Sequence, residues 1–158
     1  MTNLFRVNLL LAVGWCALWG GFSSVNLVAG FLVGFLALSV AGPIFGQTGY
    51  SGRVIRMAKL GLYFAWELII SSGQVVWDVL TPVHRSRPAI VAIPLDIKDP
   101  LQITVLANLI SLTPGSLTLD TSRDDRTLYV HAMFVDDPDD VRRRIKTGFE
   151  RRVREAME

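Results

Sequence analysis

Few residues of this sequence could take part in catalysis or ion transfer. One candidate is an acid inside an apolar helical stretch. Glu67 is flanked by apolar residues, and Asp78 is a weaker example of the same kind. An ionisable group at membrane depth is costly and usually marks an ion or proton pathway. If the stretch lies on the membrane surface instead, Glu67 is a solvated or paired acid, so the sequence leaves a proton-handling role open.

The histidines and the acidic cluster favour structural roles. His131 lies in a predicted strand, which indicates a structural or interface residue rather than a proton relay. His84 lies in a basic linker, which indicates a headgroup or partner contact. Three acids, Asp137, Asp139 and Asp140, are expected in the first turn of a helix, where negative charge interacts favourably with the helix dipole. No group of acids has the spacing of a calcium-binding loop. We therefore predict no metal site.

Motifs for catalysis are missing from the sequence. It has no Gly-rich phosphate loop, no nucleophile elbow and no plausible catalytic triad. Its single cysteine, Cys16, lies in an apolar run, so an internal disulfide and a cysteine metal site are excluded. The net charge of +2 does not suggest a nucleic-acid binder. We predict that the chain is not an enzyme, carries no cofactor and binds no nucleic acid.

Two uncharged apolar runs at the start of the chain predict a transmembrane helical hairpin over residues 1–52. Val7 to Phe22 barely reaches across about 30 Å of hydrocarbon at about 1.5 Å per residue, whereas Val25 to Phe45 is long enough. Because no cleavage site followed by polar sequence appears, we expect a retained membrane segment rather than a signal peptide. Gly30 and Gly34 form a G-x-x-x-G pattern, which predicts close packing against the first helix or another chain.

The next segment, residues 53–82, is predicted to be one long amphipathic helix. Its polar residues recur every three or four positions and so form one stripe: Arg53, Arg56, Lys59, Tyr63, Glu67, Ser71, Gln74, Asp78 and Thr81. Either the helix spans the membrane with this polar stripe towards partner subunits, or it lies along the surface with the stripe in the headgroups. The positive-inside rule favours the surface position, because the basic residues at 53–59 then share a side with the Arg-rich C-terminus. A third span remains the alternative.

Residues 88–158 read as a small soluble α+β domain. We predict strands at 89–97, 116–120 and 127–135, with Pro94 marking an edge strand or a bulge. Asp99 and Asp137, each followed by proline, predict two helix starts. The apolar residues expected in the core are Leu101, Val105, Leu109, Leu112, Leu117, Leu119, Val141, Ile145, Phe149, Val153 and Met157. The predicted fold is a membrane protein with a helical hairpin, an amphipathic helix and a domain of β-α-β-β-α order.

Two sequence elements carry a family resemblance. Asn108–Asp120 reads NLISLTPGSLTLD and Leu128–Ala132 reads LYVHA. Together with the element order, they closely resemble the E subunit of the Mrp/Mnh-type multisubunit sodium/proton antiporter over essentially the whole chain, although Ser116 stands where threonine is often seen. The residues that match the family motif are Asn108, Thr113, Pro114, Gly115, Leu119, Asp120 and His131.

The resemblance implies an accessory subunit of a prokaryotic plasma-membrane complex whose ion and proton pathways lie in the larger subunits. Its expected partners are other antiporter subunits and membrane lipids. We expect a multi-pass chain with the C-terminal domain in the cytoplasm. The alternative is a free-standing, membrane-tethered domain that binds lipid or a small ligand.

Overall fold

The computed structural model describes residues 3–41, 50–82 and 86–158. The chain forms two compact units, Met1–Ile55 and Arg56–Glu158. The end of the predicted second apolar run, which includes Phe45, lies outside the described residues, as does His84.

The first unit contains a pair of apolar helices, α1 (Asn3–Leu18) and α2 (Ser24–Ala41). α1 ends four residues earlier than predicted, because Gly20 takes a left-handed conformation with φ of 67° and the chain turns. The side chain of Ser23 accepts a 3.1 Å hydrogen bond from the Asn26 backbone N–H at the start of α2. Among the described residues, α2 is the one helix long and apolar enough to cross a membrane, and α1 is a shorter apolar helix.

A long helix, α3 (Tyr50–Leu80), follows, and the second unit takes its residues from Arg56 onward. The remaining elements of this unit are β1 (Ala89–Pro94), α4 (Pro100–Leu112), β2 (Ser116–Thr121), β3 (Thr127–Ala132), α5 (Pro138–Ile145), a π-helical turn (Lys146–Glu150) and α6 (Arg151–Met157). β1 and β3 end three residues earlier than predicted. The side chains of Asp99 and Asp137 cap α4 and α5 by accepting hydrogen bonds from the backbone N–H groups of Leu101 and Asp139.

The three strands form an antiparallel sheet in the order β1-β3-β2. Pro94 makes the last pair of the edge strand β1, opposite Thr127, where its missing N–H costs little. A bulge between Thr118 and Asp120 inserts Leu119 into β2.

The hydrophobic core lies between one sheet face and the helices. Val91, Ile93, Leu128 and Val130 point from the sheet into this core and are at most 1% exposed. The stripe at spacing four on the last helix also faces the core, with Val141, Ile145, Phe149 and Val153 buried and Met157 partly buried. A regular α-helix turns by about 40° over each such step. The π-helical turn holds an extra residue, which keeps the stripe pointing the same way.

Two core predictions are wrong. α4 buries Ile103, Leu106 and Ile110, whereas Leu101 and Leu112 are exposed. Val105 and Leu109 are partly buried against the core, so the buried face is rotated from the predicted one but overlaps it. Leu117 and Leu119 are also exposed. Thr118 is the β2 residue that points towards α4, where its hydroxyl donates a 3.1 Å hydrogen bond to the Ala107 carbonyl. Because neighbouring residues of a strand face opposite sides, Leu117 then faces outward.

Candidate interaction site

The polar stripe of α3 packs onto the C-terminal domain, with Tyr63 at the centre of the contact. The Tyr63 ring meets the Phe149 ring edge-on at a centroid distance of 5.2 Å, and the Arg152 guanidinium lies 3.9 Å from the Tyr63 ring centroid. The Arg56 side chain donates a hydrogen bond to the Glu155 carbonyl. Leu60, beside this stripe, joins the hydrophobic core. The stripe therefore faces this chain's own domain, which neither predicted placement included.

A glycine in the π-helical turn makes room for this contact. A Cβ atom at Gly148 would lie 2.4 Å from the Tyr63 hydroxyl oxygen and 3.2 Å from Cζ of the same ring. Any larger residue at this position would force the Tyr63 side chain or the π-helical turn to shift. Sequence reasoning missed Gly148, because the close approach joins segments far apart in the chain.

Glu67 is paired within this contact. The Tyr63 hydroxyl donates a 2.9 Å hydrogen bond to Oε1 of Glu67, one turn further along α3. Burial, followed by the hydrogen bond to the Glu67 carboxylate and the charge of that carboxylate, raises the pKa of Tyr63 to about 12. Tyr63 therefore stays a neutral donor across the physiological range, and Glu67 is a half-buried, paired acid on the domain side of α3.

A small cavity lies beside Glu67, between α3 and the end of α4. It has a volume of about 40 Å³, which is enough for a few water molecules. Its polar lining residues are Glu67, Ser71, Gln74, Thr113, Ser116 and Arg144. No group of three or more His, Cys, Asp or Glu side chains that could hold a metal ion occurs in the described parts of the chain.

Thr113, Pro114 and Gly115 form the corner between α4 and β2. The Thr113 hydroxyl donates a 2.6 Å hydrogen bond to the Ile110 carbonyl at the helix end and lies 2.8 Å from the Ser116 hydroxyl. The same carbonyl also accepts hydrogen bonds from the Thr113 backbone N–H and from the Ser116 hydroxyl. Gly115 has φ of 82°, a conformation that favours glycine. These contacts are internal to the fold, so the corner turns the chain from helix to strand.

The other motif residues lie on the surface of the domain. Asn108 is exposed on α4, and Leu119 is exposed in the β2 bulge. Asp120 is also exposed, and its Oδ1 accepts a 2.8 Å hydrogen bond from the Thr121 backbone N–H. His131 is half-buried on β3, paired with Ile90 on one side and Leu117 on the other. The motif residues therefore fall into two groups: the corner at residues 113–115, and surface residues of α4 and the sheet.

Gly30 and Gly34 lie in the contact between α1 and α2. A Cβ atom at Gly30 would lie 2.6 Å from Cβ of Trp15, and one at Gly34 would lie 2.2 Å from Oδ1 of Asn8. Asn8 is fully buried in this contact and donates a 2.8 Å hydrogen bond from Nδ2 to the Tyr50 hydroxyl. Of the two packing partners left open by the sequence, the structure places the first helix against these glycines.

Glu150 is a buried acid that the sequence did not reveal. It is 2% exposed, and its Oε1 accepts hydrogen bonds from the backbone N–H groups of Asp96 and Ile97 at 2.5 and 3.1 Å. Its Oε2 lies 3.3 Å from the Lys146 ammonium. Glu150 therefore fixes the loop after β1 against the last helix.

Comparison with known proteins supports one family over nearly the whole chain. The model of the MNHE family, described as a Na+/H+ ion antiporter subunit, matches residues 8–156. The E subunit of the Na(+)/H(+) antiporter of Alkalihalophilus pseudofirmus is 35% identical over 150 residues, which cover 95% of each chain.

Two solved structures are also similar. A chain of the Mrp complex from Dietzia sp. is 33% identical, with a TM-score of 0.48, and the match covers 63% of this chain and 94% of that one. A chain of the membrane-bound sulfane sulfur reductase, an archaeal respiratory membrane complex, is 25% identical, with a TM-score of 0.58 and 98% coverage of both chains. By the family match and the identity to the curated relative, this chain belongs to the MNHE family of Na+/H+ ion antiporter subunits.

Proposed function

We propose that this chain is the accessory, non-catalytic E subunit of a multisubunit antiporter that exchanges a monovalent cation, sodium, for protons in a prokaryotic plasma membrane. The family match over residues 8–156 supports the assignment, and the relatives' name supplies the exchange reaction. The exchange itself is carried by the larger subunits. This chain supports their assembly and activity, and those subunits are its partners.

The main observation that supports an accessory role is that the hairpin contains very few ionisable groups. Arg6 is the only Asp, Glu, Lys, Arg or His in the described helices α1 and α2. An ion or proton pathway through a membrane requires a series of ionisable or polar groups facing a cavity. Asn8 is buried in the helix contact and bonded to Tyr50, so it acts as packing within the hairpin.

The position of Glu67 also favours an accessory role. Its carboxylate accepts a hydrogen bond from the Tyr63 hydroxyl on the side of α3 that faces the C-terminal domain. The acid therefore holds the hydroxyl of Tyr63, whose ring packs against Phe149, instead of carrying protons within the membrane.

The fold recurs in a complex of another kind, which supports the same conclusion. The sulfane sulfur reductase is by its name a respiratory complex, yet one of its chains matches this one over 98% of its length. A fold that occurs in differently named membrane complexes supports a structural role for this chain.

We also propose a placement in the membrane. Both hairpin helices cross it, and α3 lies along its surface with an exposed apolar face that includes Leu62, Trp66, Ile69 and Trp77. The opposite face of α3 is occupied by the C-terminal domain, so the apolar face is left for lipid. The basic residues at the start of α3 and in the last helices put the domain in the cytoplasm.

The test is a transport assay on three preparations reconstituted in liposomes: this chain alone, the complete antiporter complex, and the complex expressed without this chain. We expect no sodium-driven or pH-driven flux from the chain alone and full exchange from the complete complex. Without the chain, assembled complex and exchange should both fall, and re-expression of the chain should restore them. Flux from the chain alone, or full assembly and activity without it, would overturn the proposal.

A further inference from the structure

The face of the sheet that points away from the core is largely apolar and exposed. Ile90 is 64% exposed, Leu117 50%, Leu119 48% and Tyr129 39%. We define the outer sheet face as these four residues together with His131 and Asp120. In the paired strands His131 lies between Ile90 and Leu117, and Asp120 is paired with Tyr129. These side chains are not needed for the core, which lies on the opposite side of the sheet.

The edges of the sheet are already occupied, so a partner would contact the face rather than add a strand. At β1, Arg142 Nε donates a 2.9 Å hydrogen bond to the Ala92 carbonyl, and Lys146 Nζ donates a 2.7 Å hydrogen bond to the Pro94 carbonyl. At β2, the Ser111 hydroxyl accepts a 3.0 Å hydrogen bond from the Thr118 backbone N–H. Side chains that satisfy edge groups in this way block strand addition.

Lipid does not fit the outer sheet face. α3 lies on the core side of the sheet, where Glu67 and Ser71 line the same cavity as Val130 and Ala132. The apolar face of α3 and the outer sheet face therefore point to opposite sides of the domain. When α3 rests on the membrane, as proposed above, the outer sheet face looks into the aqueous phase.

The area of the outer sheet face helps to choose between a second copy of this chain, a free soluble protein and a neighbouring subunit as its partner. Three strands spaced about 4.8 Å apart and about six residues long cover about 14 by 20 Å, or about 300 Å². A stable interface between independent proteins buries about 800 Å² on each partner. A free soluble protein would therefore bind too weakly through this face alone. A second copy would bring the same face, whose strands offer no Lys or Arg to Asp120. A partner anchored in the same membrane complex meets it at high effective concentration, so a small contact suffices.

We infer that the outer sheet face docks an apolar segment of a neighbouring subunit of the same complex. Apolar side chains of that segment cover Ile90, Leu117 and Tyr129. Asp120 is the only charged residue in the three strands, so the segment presents one Lys or Arg to it. This inference rests on the proposed function, because the partner must be held beside the chain by the complex.

The first test is photo-crosslinking in the intact complex. Benzoylphenylalanine replaces Tyr129 in the full chain, which is expressed with the other subunits, irradiated in membranes and purified by a C-terminal tag. We expect an adduct with another subunit of the antiporter, identified by mass spectrometry. An adduct only with lipid or with a second copy of this chain, or no adduct at all, would overturn the inference.

The second test compares Leu117→Arg with Leu101→Arg. Both leucines are exposed, but Leu101 lies on α4, outside the outer sheet face. Leu117→Arg should lower the amount of other subunits recovered with the tagged chain by about tenfold, and Leu101→Arg should leave it unchanged. Full recovery with Leu117→Arg in an active complex contradicts the docking surface and leaves the proposed function intact. Failure of the wild-type chain to recover any antiporter subunit contradicts both.

Discussion

At the residue scale, the contacts that hold this domain together depend on a few side chains whose partners are distant in sequence. Glu150 caps two backbone N–H groups more than fifty positions earlier, and Tyr63 lies against Gly148. The sequence pattern shows only that Glu150 follows a buried phenylalanine on a charged helix. A long-range hydrogen bond has no periodic signature, so neither pair was predictable.

We expect Glu150→Ala to destabilise the domain by about 2–4 kcal/mol, because the buried backbone N–H of Ile97 and the part-buried one of Asp96 lose their acceptor. The matched control is Glu155→Ala on the same helix, where a half-exposed carboxylate lies 3.9 Å from Arg151 and contributes little. The measurement is pulse proteolysis of the full-length protein in detergent over a urea series. Equal midpoints for the two variants would show that Glu150 does not hold the loop after β1.

The short loops and helix caps, in contrast, were predictable because their causes are local. The side chains of Asp99 and Asp137 accept hydrogen bonds from backbone N–H groups two residues further on, and each is followed by proline at the start of its helix. Gly115 supplies the positive φ of the turn after α4. The helix end at Thr113 and the turn at Gly115 have local causes of this kind. The outward direction of Leu117 and Leu119 was not predictable, since hydrophobic residues in a short strand indicate burial without saying which face is buried.

At the element scale, the hairpin of α1 and α2 is held by close backbone contact. The G-x-x-x-G spacing predicted a packed face, but it left open whether the partner was the first helix or another chain. The side chains facing these glycines, Asn8 and Trp15, have no pattern that identifies them as partners in advance. The same limit applies to α4, where two adjacent apolar stripes compete and only tertiary packing selects the buried one.

Gly30→Ala should separate the two helices, because its new Cβ would lie 2.6 Å from Cβ of Trp15 and 3.0 Å from Cα of Ala12. We expect a loss of about 1–3 kcal/mol in hairpin stability. Gly14→Ala is the control, since a Cβ there has nothing within 4 Å and alanine favours helix. Unfolding in mixed detergent micelles, followed by tryptophan fluorescence with Trp66 and Trp77 changed to Phe, compares the two. A midpoint for Gly30→Ala as high as that for Gly14→Ala would remove the packing claim.

At the scale of the whole molecule, the proposed number of membrane spans depends on where α3 lies. The sequence left two placements open, because a stripe at spacing three or four is compatible with a spanning and a surface helix. In the structure Leu60, Tyr63 and Glu67 lie on the side of α3 that faces the C-terminal domain, and the apolar face remains exposed. A surface helix satisfies both faces at once, whereas a spanning α3 would draw the charged domain attached to it towards hydrocarbon.

The last prediction tests that placement with two tryptophans. Trp66 and Trp77 are both exposed on α3, and they lie about 16 Å apart along a helix that rises about 1.5 Å per residue. With Trp15 and Trp19 changed to Phe, each remaining tryptophan is kept singly in the full chain and quenched by lipids brominated at different acyl depths. A surface helix places both at the same shallow depth, close to the headgroups, where tryptophan is favoured. A spanning helix places them at depths that differ by most of the ~16 Å between them, and that result would replace the surface placement with a third span. The side on which the C-terminal domain lies is tested separately: an alkaline phosphatase fused after Glu158, which is active only outside the cytoplasm, should remain silent, and activity from that fusion would reverse the proposed cytoplasmic position.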